Sequence, residues 1–311
     1  MKVLVTGGAG FIGLYLVEKL LARNFEVIVI DDLSTGSRKK LSKKAKLYVT
    51  KVENAKEVNQ IFASEKPNVV FHLAAQISAP TSIKDPTHDA LVNVIGSINV
   101  FKAAVENKAS AVIFSSTAAV YGDTKDLPVK ETTTCNPIAP YGISKLTAEK
   151  YLAAITNGSQ TRAVTLRYSN LYGVGQQLNN GEGGVTPILI NSILKNQTFT
   201  LYGDGSHTRD FINVKDAVEA NLQAMDSQAS GLFQISTNEQ TTISKLIEIV
   251  ENAVGRKVNM VKSKPKDGDI YKSCLSNSLA KKQLGFTPRV KLVDGIKETV
   301  EFTKNELKSD Q

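Results

Sequence analysis

Short apolar segments alternate with amphipathic segments along the first half of the chain, and this alternation restricts the possible folds more than any other feature. The apolar segments have the length and residue types of buried β-strands, at residues 2–5, 26–31, 46–50, 69–73, 111–116 and 162–168. Segments with helical spacing lie between them, at residues 11–23, 54–64, 86–106 and 139–156. Strands that alternate with helices form a parallel sheet covered on both faces, so the sequence predicts an α/β fold with a doubly wound parallel sheet.

A glycine-rich segment follows the first predicted strand and opens the first predicted helix. The segment VTGGAGFIG places Gly7, Gly10 and Gly13 three residues apart. Such glycines permit a tight turn and let a pyrophosphate approach the helix N-terminus, where free N–H groups favour anions. Asp31 ends the next strand, where a carboxylate can accept hydrogen bonds from the adenosine ribose and would repel a 2′-phosphate. We therefore predict NAD rather than NADP, although the basic pair Arg38–Lys39 follows; a purely structural glycine turn is the alternative.

A second group of polar side chains is predicted at the carboxyl edge of the same sheet. The strand AVIFSS runs into SSTAAVYG, so the hydroxyl groups of residues 115–117 emerge where open α/β sheets bind ligands. In the following helix, APYGISKLTAEK places Tyr141 and Lys145 four residues apart. Four residues is about one helical turn, so both side chains project from the same face. Taken alone, this pair also fits a surface helix with a lysine in its second turn.

These features belong to a series of short motifs that follows one order along nearly the whole chain. The motifs are TGGAGFIG (6–13), DDLSTG (31–36), HLAAQ (72–76), NVIGSINVF (93–101), FSSTAAVYG (114–122), YGISK (141–145), LRYSNLYG (166–173), GDGSHTRDFINV (203–214) and KDGD (266–269). With them the chain resembles the extended short-chain dehydrogenases/reductases, and it is most similar to the UDP-glucose 4-epimerases. The resemblance implies an NAD-dependent enzyme that interconverts UDP-glucose and UDP-galactose through a 4-keto sugar and keeps its cofactor bound.

The resemblance gives the catalytic roles to Thr117, Tyr141 and Lys145. Tyr141 would deprotonate the sugar 4-hydroxyl, Thr117 would hydrogen-bond the same oxygen, and Lys145 would hold Tyr141 ionised and contact the nicotinamide ribose. A phenol with a pKa of about 10 needs about 4 kcal/mol of stabilisation to serve as a base at neutral pH. One positive charge about 5 Å away supplies roughly 3 kcal/mol at an effective dielectric constant of about 20. We therefore expect Lys145 to lower the pKa of Tyr141.

The resemblance also implies two sets of binding residues. The residues expected to contact NAD are Gly7, Gly10, Phe11, Ile12, Gly13, Asp31, Asp32, Leu73, Ala74, Ala75, Gln76, Tyr141 and Lys145. The residues expected to contact the UDP-sugar are Thr117, Tyr141, Asn170, Arg209, Lys266, Asp269 and Ser273. Lys266 stands where relatives often carry arginine, and Ser273 stands where some carry a bulky tyrosine, which suggests room for UDP-N-acetylglucosamine and UDP-N-acetylgalactosamine. For Arg209, a surface ion pair with Asp210 is the alternative.

The residues after the strand-end hydroxyl bear on the type of reaction. Relatives that eliminate water or carbon dioxide carry an acidic residue there, whereas this chain has Ala118 and Ala119, which can neither donate nor accept a proton. Epimerisation needs no such acid, so a 4-epimerase is favoured over a dehydratase or decarboxylase. A UDP-glucuronate 4-epimerase, a reductase and, more remotely, a non-enzymatic dinucleotide-binding regulator remain alternatives.

Length and composition set the remaining expectations. The 311 residues suit an NAD-binding Rossmann domain over residues 1–170, which residues 209–236 rejoin, and a substrate-binding lobe over residues 171–311. The lysines behind the net charge of +8 are scattered, which argues against a nucleic-acid partner, and no apolar run suits a membrane span. Two cysteines, three widely spaced histidines and a strand that starts near Met1 predict a cytoplasmic protein without a metal site. The resemblance implies a homodimer formed through helices 86–106 and 139–156.

Overall fold

In the computed structural model, which describes residues 1–176, 184–265 and 270–309, a seven-stranded parallel sheet forms the centre of the molecule. Its strands are β1 (Lys2–Thr6), β2 (Glu26–Asp31), β3 (Lys46–Val49), β4 (Val69–His72), β5 (Ala111–Thr117), β6 (Arg162–Tyr168) and, later in the chain, β11 (Gly231–Ile235). The order across the sheet is β11-β6-β5-β4-β1-β2-β3. The order reverses between β1 and β4, so the carboxyl ends of these two strands flank the crevice in which such folds bind ligands. The predicted doubly wound fold is confirmed.

Helices cover both faces of the sheet. On one face lie α1 (Phe11–Ala22), α8 (Val214–Asp226) and α10 (Ser278–Leu284), and on the other lie α2 (Ala55–Glu65), α5 (Ser97–Glu106) and α6 (Pro140–Thr156). Successive side chains of a strand point to opposite faces of the sheet: Val3 and Val5 pack on the first group of helices, and Leu4 packs on the second. This two-sided burial explains why the strands read as continuous apolar runs.

The helix predicted over residues 86–106 is interrupted. The structure has α3 (Ala79–Lys84), α4 (Pro86–Ala90), a π-helical turn over Leu91–Gly96, and then α5. Gly96 permits this path because a Cβ atom there would lie 2.6 Å from Cγ2 of Val52. The periodicity of apolar residues does not reveal the extra residue of a π-turn, so the prediction of one continuous helix was wrong in this detail.

A smaller set of elements lies beyond the carboxyl edge of the sheet. It comprises β7 (Asn170–Tyr172), α7 (Val185–Leu194), β8 (Phe199–Tyr202), β9 (Thr208–Arg209), β10 (Phe211–Asn213), β12 (Thr241–Thr242), α9 (Ile243–Val254), β13 (Met260–Ser263) and α11 (Leu292–Ser309). Its strands pair as β7 with β10, β8 with β13 and β9 with β12. Tyr172, Leu189, Leu246 and Ile296 are buried together in a separate hydrophobic cluster. A division at residue 170 remains a prediction.

Within the part of the chain that the structure describes, no helix combines the length and the apolar composition needed to cross a bilayer.

Candidate active site

The glycine turn lies in the crevice between β1 and β4. Gly7 adopts a φ of +68°, and a Cβ atom there would lie 2.7 Å from the backbone nitrogen of Ala74. Gly13 packs against the turn so closely that a Cβ atom would lie 2.1 Å from the carbonyl oxygen of Gly7. Phe11 and Ile12 form the first turn of α1, and no described side chain caps this helix at Gly10. The start of α1 therefore has free N–H groups, and Cβ atoms at Gly7 or Gly13 would clash with the backbone around it. This arrangement fits the pyrophosphate of a dinucleotide.

The carboxylate of Asp31 is fixed beside this turn. It is nearly buried and accepts hydrogen bonds from the backbone nitrogens of Ala9 and Leu33, both at 2.9 Å. Burial raises its pKa, and the two backbone hydrogen bonds act in the opposite direction. Asp32 is exposed and accepts hydrogen bonds from Ser34 at 2.9 and 2.6 Å. Asp31 is thus held beside the glycine turn, and its role as a ribose ligand remains a prediction.

The loop after β4 forms the other wall of the crevice. It holds Leu73, Ala74, Ala75 and Gln76, all of them partly buried, and Ala74 contacts the glycine turn. The side-chain amide of Gln76 points away from the crevice, because its Nε2 donates to Asp89 at 2.7 Å and its Oε1 accepts from the backbone nitrogen of Ser78. The loop lies where a cofactor-binding wall was expected, but the amide of Gln76 is used inside the protein.

The predicted catalytic hydroxyl and phenol meet at the carboxyl edge. Ser115 donates to Tyr168 at 3.2 Å and Ser116 donates to Glu149, so Thr117 alone of these three hydroxyl groups is left to face Tyr141 on α6, the predicted catalytic helix. The hydroxyl of Thr117 faces the phenol of Tyr141 and lowers its pKa. These contacts bring together two residues that the sequence separates by 24 positions.

Two small contacts place the first turn of α6 against this edge. A Cβ atom at Gly142 would lie 2.7 Å from the carbonyl oxygen of Ala119 and 2.9 Å from Cβ of Pro137, so the glycine permits a close approach. The backbone nitrogen of Tyr141 donates to the buried hydroxyl of Ser82 at 3.0 Å. This bond satisfies one of the free N–H groups at the helix start and fixes the position of Tyr141.

The electrostatic state of the Tyr141–Lys145 pair differs from the expectation. Burial raises the pKa of Tyr141 to about 12, the Asp89 charge adds to this increase, and the hydrogen bond with Thr117 opposes it. Burial lowers the pKa of Lys145 to about 7, although the charges of Glu149 and Asp89 oppose this decrease. The expectation that Lys145 lowers the pKa of Tyr141 is therefore wrong for the ligand-free protein. It assumed a fully charged lysine and omitted the loss of hydration that both groups suffer.

Lys145 nevertheless lies within the predicted constellation. Its side chain is 3% exposed, and its Nζ lies 4.4 Å from the centroid of the Phe114 ring. An aromatic face favours the protonated form and compensates part of the cost of burial. A buried lysine with a pKa near neutrality, one turn from a tyrosine, is unlike the lysine of a solvated surface helix.

Sequence reasoning missed a buried polar network behind the catalytic helix. Its members connect β1, β4, the π-turn and α6, and they are Thr6, His72, Ser97, Asn93, Gln76, Asp89 and Ser144. Most of its bonds join residues far apart in the sequence. The only available signal was the presence of Asp89 and Asn93 at positions that a continuous amphipathic helix would give to apolar residues.

A second buried pair was also missed. Arg167 on β6 binds Glu149 on α6 through two hydrogen bonds, at 2.8 and 2.5 Å, and its third contact is the hydroxyl of Tyr121 at 2.6 Å. Glu149 lies one turn beyond Lys145, so this pair anchors the catalytic helix to the sheet.

Asn170, Arg209 and Ser273, which were expected to bind the substrate, lie on or beside β7 and β9. The backbone nitrogen of Asn170 on β7 donates to the carbonyl oxygen of Asp210 at 2.8 Å, which places Asn170 close to Arg209 on β9. Ser273 is nearly buried beside the same strand, where its nitrogen donates to the carbonyl oxygen of Thr208 at 3.2 Å. Lys266 and Asp269 lie outside the described residues. These contacts bring Asn170, Arg209 and Ser273 to one region.

The alternative for Arg209 does not fit the surroundings of Asp210. Asp210 is fully buried, and its carboxylate accepts hydrogen bonds from Ser169, Thr237 and the backbone nitrogens of Asn238 and Leu275. It therefore holds the interior of the lobe together and is not part of a surface ion pair.

Among the described residues, His, Cys, Asp and Glu side chains do not come together in any group of three or more that could hold a metal ion.

The fold and these side chains define a class, that of doubly wound, dinucleotide-dependent enzymes with a tyrosine and a lysine at the carboxyl edge. Residues 3–236 match the NAD dependent epimerase/dehydratase family. The chain is 37% identical to the UDP-glucose 4-epimerase of Mycolicibacterium smegmatis over 312 residues, which covers 98% of this chain and 99% of that protein.

Solved structures agree with this match. The UDP-glucose 4-epimerase of Thermotoga maritima with UDP-glucose superposes with a TM-score of 0.96 at 38% identity, covering 99% of this chain and all of that one. The UDP-glucose 4-epimerase of Thermus thermophilus in complex with NAD gives a TM-score of 0.93 at 35% identity, covering 98% of this chain and 99% of that one. The chain belongs to the NAD dependent epimerase/dehydratase family, and NAD is its cofactor. The predicted family and cofactor are confirmed.

Proposed function

We propose that this protein is a UDP-sugar 4-epimerase that interconverts UDP-glucose and UDP-galactose through a 4-keto intermediate. The observation that carries the proposal is that Thr117, at the end of β5, faces Tyr141 on α6, with Lys145 one turn away, in a sheet whose first strand leads into the glycine turn. Ala118 and Ala119 follow Thr117, so this edge has no acid at the place from which elimination would need one. The names of the similar proteins support the same reaction.

The roles of the protein groups follow from their positions. Bound NAD would supply hydride transfer from and back to the sugar C4 carbon and, in its oxidised form, a positive charge. Tyr141 accepts the proton of the 4-hydroxyl as the hydride leaves and gives it back as the hydride returns. Thr117 hydrogen-bonds the same oxygen, and Lys145 in its charged form favours the phenolate.

The ionisation of the site has to change when ligands enter. With a pKa of about 12, the Tyr141 phenol is neutral in the ligand-free protein, and Lys145, with a pKa of about 7, is only partly charged at neutral pH. Any added positive charge near Tyr141 stabilises the phenolate, and added negative charge near Lys145 stabilises the ammonium group. The base is therefore generated in the occupied site, which protects the free enzyme from unproductive proton transfer.

The substrate diphosphate and sugar would occupy the region between Tyr141 and the smaller elements. Asn170 and Arg209 would bind the diphosphate, as would Lys266, and Asp269 would bind the uridine ribose. A guanidinium group suits phosphate because it can donate two parallel hydrogen bonds. Ser273 leaves more space beside the sugar than a tyrosine would, so N-acetylated UDP-sugars are proposed as additional substrates.

A homodimer is proposed from an apolar surface on the predicted interface helices. Leu91 and Ile95 on the π-turn, and Ile143 and Tyr151 on α6, are each more than 40% exposed. Large apolar side chains that share one helical surface are typical of protein interfaces. Light scattering should give twice the mass of the 33.7 kDa chain, and a monomeric mass would count against this part of the proposal. We further propose that the enzyme acts in the cytoplasm.

The decisive experiment uses the purified protein without added cofactor. UDP-glucose and, separately, UDP-N-acetylglucosamine are incubated with it, and the products are followed by NMR. Appearance of the 4-epimer would support the proposal and show that a bound NAD is recycled. If neither sugar is converted even with NAD supplied, the substrate assignment fails, and UDP-glucuronate should be tried next. Net consumption of NADH with a 4-keto sugar nucleotide would instead indicate a reductase.

A further inference from the structure

Asp89 is a fully buried carboxylate whose oxygens all have partners. Its Oδ1 accepts hydrogen bonds from Nε2 of Gln76 at 2.7 Å and from Nδ2 of Asn93 at 3.0 Å. Its Oδ2 accepts a hydrogen bond from the hydroxyl of Ser144 at 2.5 Å. None of the ion pairs within residues 1–176, 184–265 and 270–309 includes Asp89. Such a charge is costly to bury, and three neutral donors compensate only part of the cost.

The three donors belong to different parts of the active site. Gln76 ends the loop that packs on the glycine turn. Asn93 holds the backbone of the same residue, because its Oδ1 accepts from the Gln76 nitrogen at 2.9 Å and its Nδ2 donates to the Gln76 carbonyl oxygen at 2.8 Å. Ser144 lies on α6 directly before Lys145 and three residues after Tyr141. Asp89 is therefore the one described side chain that hydrogen-bonds both the expected cofactor loop and the catalytic helix.

We propose that Asp89 is a positioning residue that locks the catalytic helix to the cofactor loop. The inference rests on the proposed function, because it assumes that Tyr141 and Lys145 act on a substrate beside bound NAD. Through Ser144 it fixes the rotation of α6 at the turn that carries both residues. Through Gln76 it fixes the wall that faces the glycine turn. Loss of Asp89 should therefore displace both α6 and the loop that ends at Gln76.

The charge of Asp89 gives a second, separable effect. The titratable groups around it are Tyr141, Lys145 and Glu149 on α6 and His72 at the end of β4, whereas Lys84 and His88 on its own side of the helices are exposed. Glu149 is already paired with Arg167, and burial lowers the pKa of His72 to about 3, so that this ring stays neutral. The Asp89 charge raises the pKa of both Tyr141 and Lys145. Removing it should move both ionisations toward lower pH.

Three variants separate these effects, and a fourth variant serves as the control. Asp89→Asn keeps the size and an acceptor oxygen but removes the charge, Asp89→Ala removes charge and acceptors, and Ser144→Ala removes only the bond to α6. Asp85→Asn is the control, because Asp85 is an exposed carboxylate that caps the same helix α4 through the backbone nitrogen of His88 at 2.9 Å. Each variant is measured for kcat and KM with UDP-glucose from pH 5.5 to 9.5. NAD binding to the ligand-free proteins is measured by calorimetry.

The expected results differ between the variants. Asp89→Ala should bind NAD about 10-fold more weakly and lose about 100-fold in kcat, since a misplacement of about 1 Å has that effect. Asp89→Asn should retain NAD affinity within about 3-fold, lose about 10-fold in kcat with little change in KM, and shift its pH profile about one unit toward acid. Ser144→Ala should lower kcat and leave the pH profile in place. The control should match the wild type in NAD affinity, in kcat and KM, and in the pH profile.

The outcomes also distinguish this inference from the proposed function. If the wild type turns over no UDP-sugar, the proposed function fails. Weaker NAD binding by Asp89→Ala than by Asp85→Asn would still support the positioning role of Asp89. Equal NAD affinity and equal kcat in these two variants would overturn it. If Asp89→Ala does not fold, an unshifted pH profile in Asp89→Asn together with an unchanged kcat in Ser144→Ala would overturn it.

Discussion

Replacement of Glu149 by glutamine should destabilise the protein far more than the loss of a surface charge. Glu149 and Arg167 are 8% and 5% exposed, and the glutamate accepts two hydrogen bonds from the guanidinium group, at 2.8 and 2.5 Å. A glutamine cannot neutralise the arginine, which would remain as an uncompensated buried charge. Removing one partner of a buried ion pair costs about 3–5 kcal/mol. Because glutamine keeps an acceptor oxygen, we expect the lower end, about 3 kcal/mol, or a fall in Tm of roughly 6–12 °C.

The measurement is urea unfolding followed by circular dichroism, with the exposed pair Lys245–Glu248 as the control. These two side chains lie 2.9 Å apart but are each 55% exposed, so Glu248→Gln should cost less than about 1 kcal/mol. A Glu149→Leu/Arg167→Met double variant should be less destabilised than the two single variants added together, since no charge is left unpaired. A loss of under about 1 kcal/mol in Glu149→Gln, or additivity in the double variant, would show that the pair is hydrated and that its burial was misjudged.

Three further substitutions test the site directly. Tyr141→Phe should lower turnover at least about 1000-fold while calorimetry finds NAD affinity unchanged, and retained turnover would remove Tyr141 as the base. Lys145 has a folded pKa of about 7, below the usual 10.5, so between these pH values the unfolded chain binds more protons than the folded protein. The unfolding free energy of the ligand-free wild type should therefore rise between pH 7 and 9.5. This rise should exceed that of Lys145→Met by up to about 3 kcal/mol. Parallel pH curves for the two proteins would mean that Lys145 titrates normally. Ser273→Tyr should reduce kcat/KM for UDP-N-acetylglucosamine at least about 10-fold relative to UDP-glucose, whereas an unchanged ratio would exclude Ser273 as the residue that admits the N-acetyl group.

Local patterns were sufficient to predict the sheet and the cofactor turn. Five of the six early strands, all except the edge strand β3, are largely buried on both faces, which produces uninterrupted apolar runs, and Gly7 and Gly13 occupy places where a Cβ atom would clash. Asp31 could be identified because it ends a strand of defined length. Each of these signals lies within about ten residues of the feature it predicts, so no knowledge of tertiary contacts was needed.

The network around Asp89 could not be predicted in this way. Asp89 bonds Ser144 across 55 positions of sequence, and Ser82 bonds Tyr141 across 59. Hydrophobic periodicity says which face of a helix is buried but not which polar side chain meets which, and the π-turn shifts the register of every residue after Leu91. The final helix α11 was also missed, because its apolar residues pack on the smaller lobe, whose strands are only two to four residues long.

The ionisation of the catalytic pair shows why a motif alone does not define a working site. A tyrosine and a lysine one turn apart suggest a phenolate held by an ammonium group, but burial acts on each group before they act on each other, and it favours the neutral form of both. The negative charges nearby act unequally: Glu149, although it is paired with Arg167, raises the pKa of Lys145, whereas Asp89, which has only neutral donors, raises the pKa of both Lys145 and Tyr141. Its charge favours a protonated Lys145 and opposes ionisation of Tyr141, so it holds the free site close to neutral overall. The sequence thus identifies Tyr141 and Lys145 as candidate reacting groups, while the packing around them favours their neutral forms in the ligand-free protein.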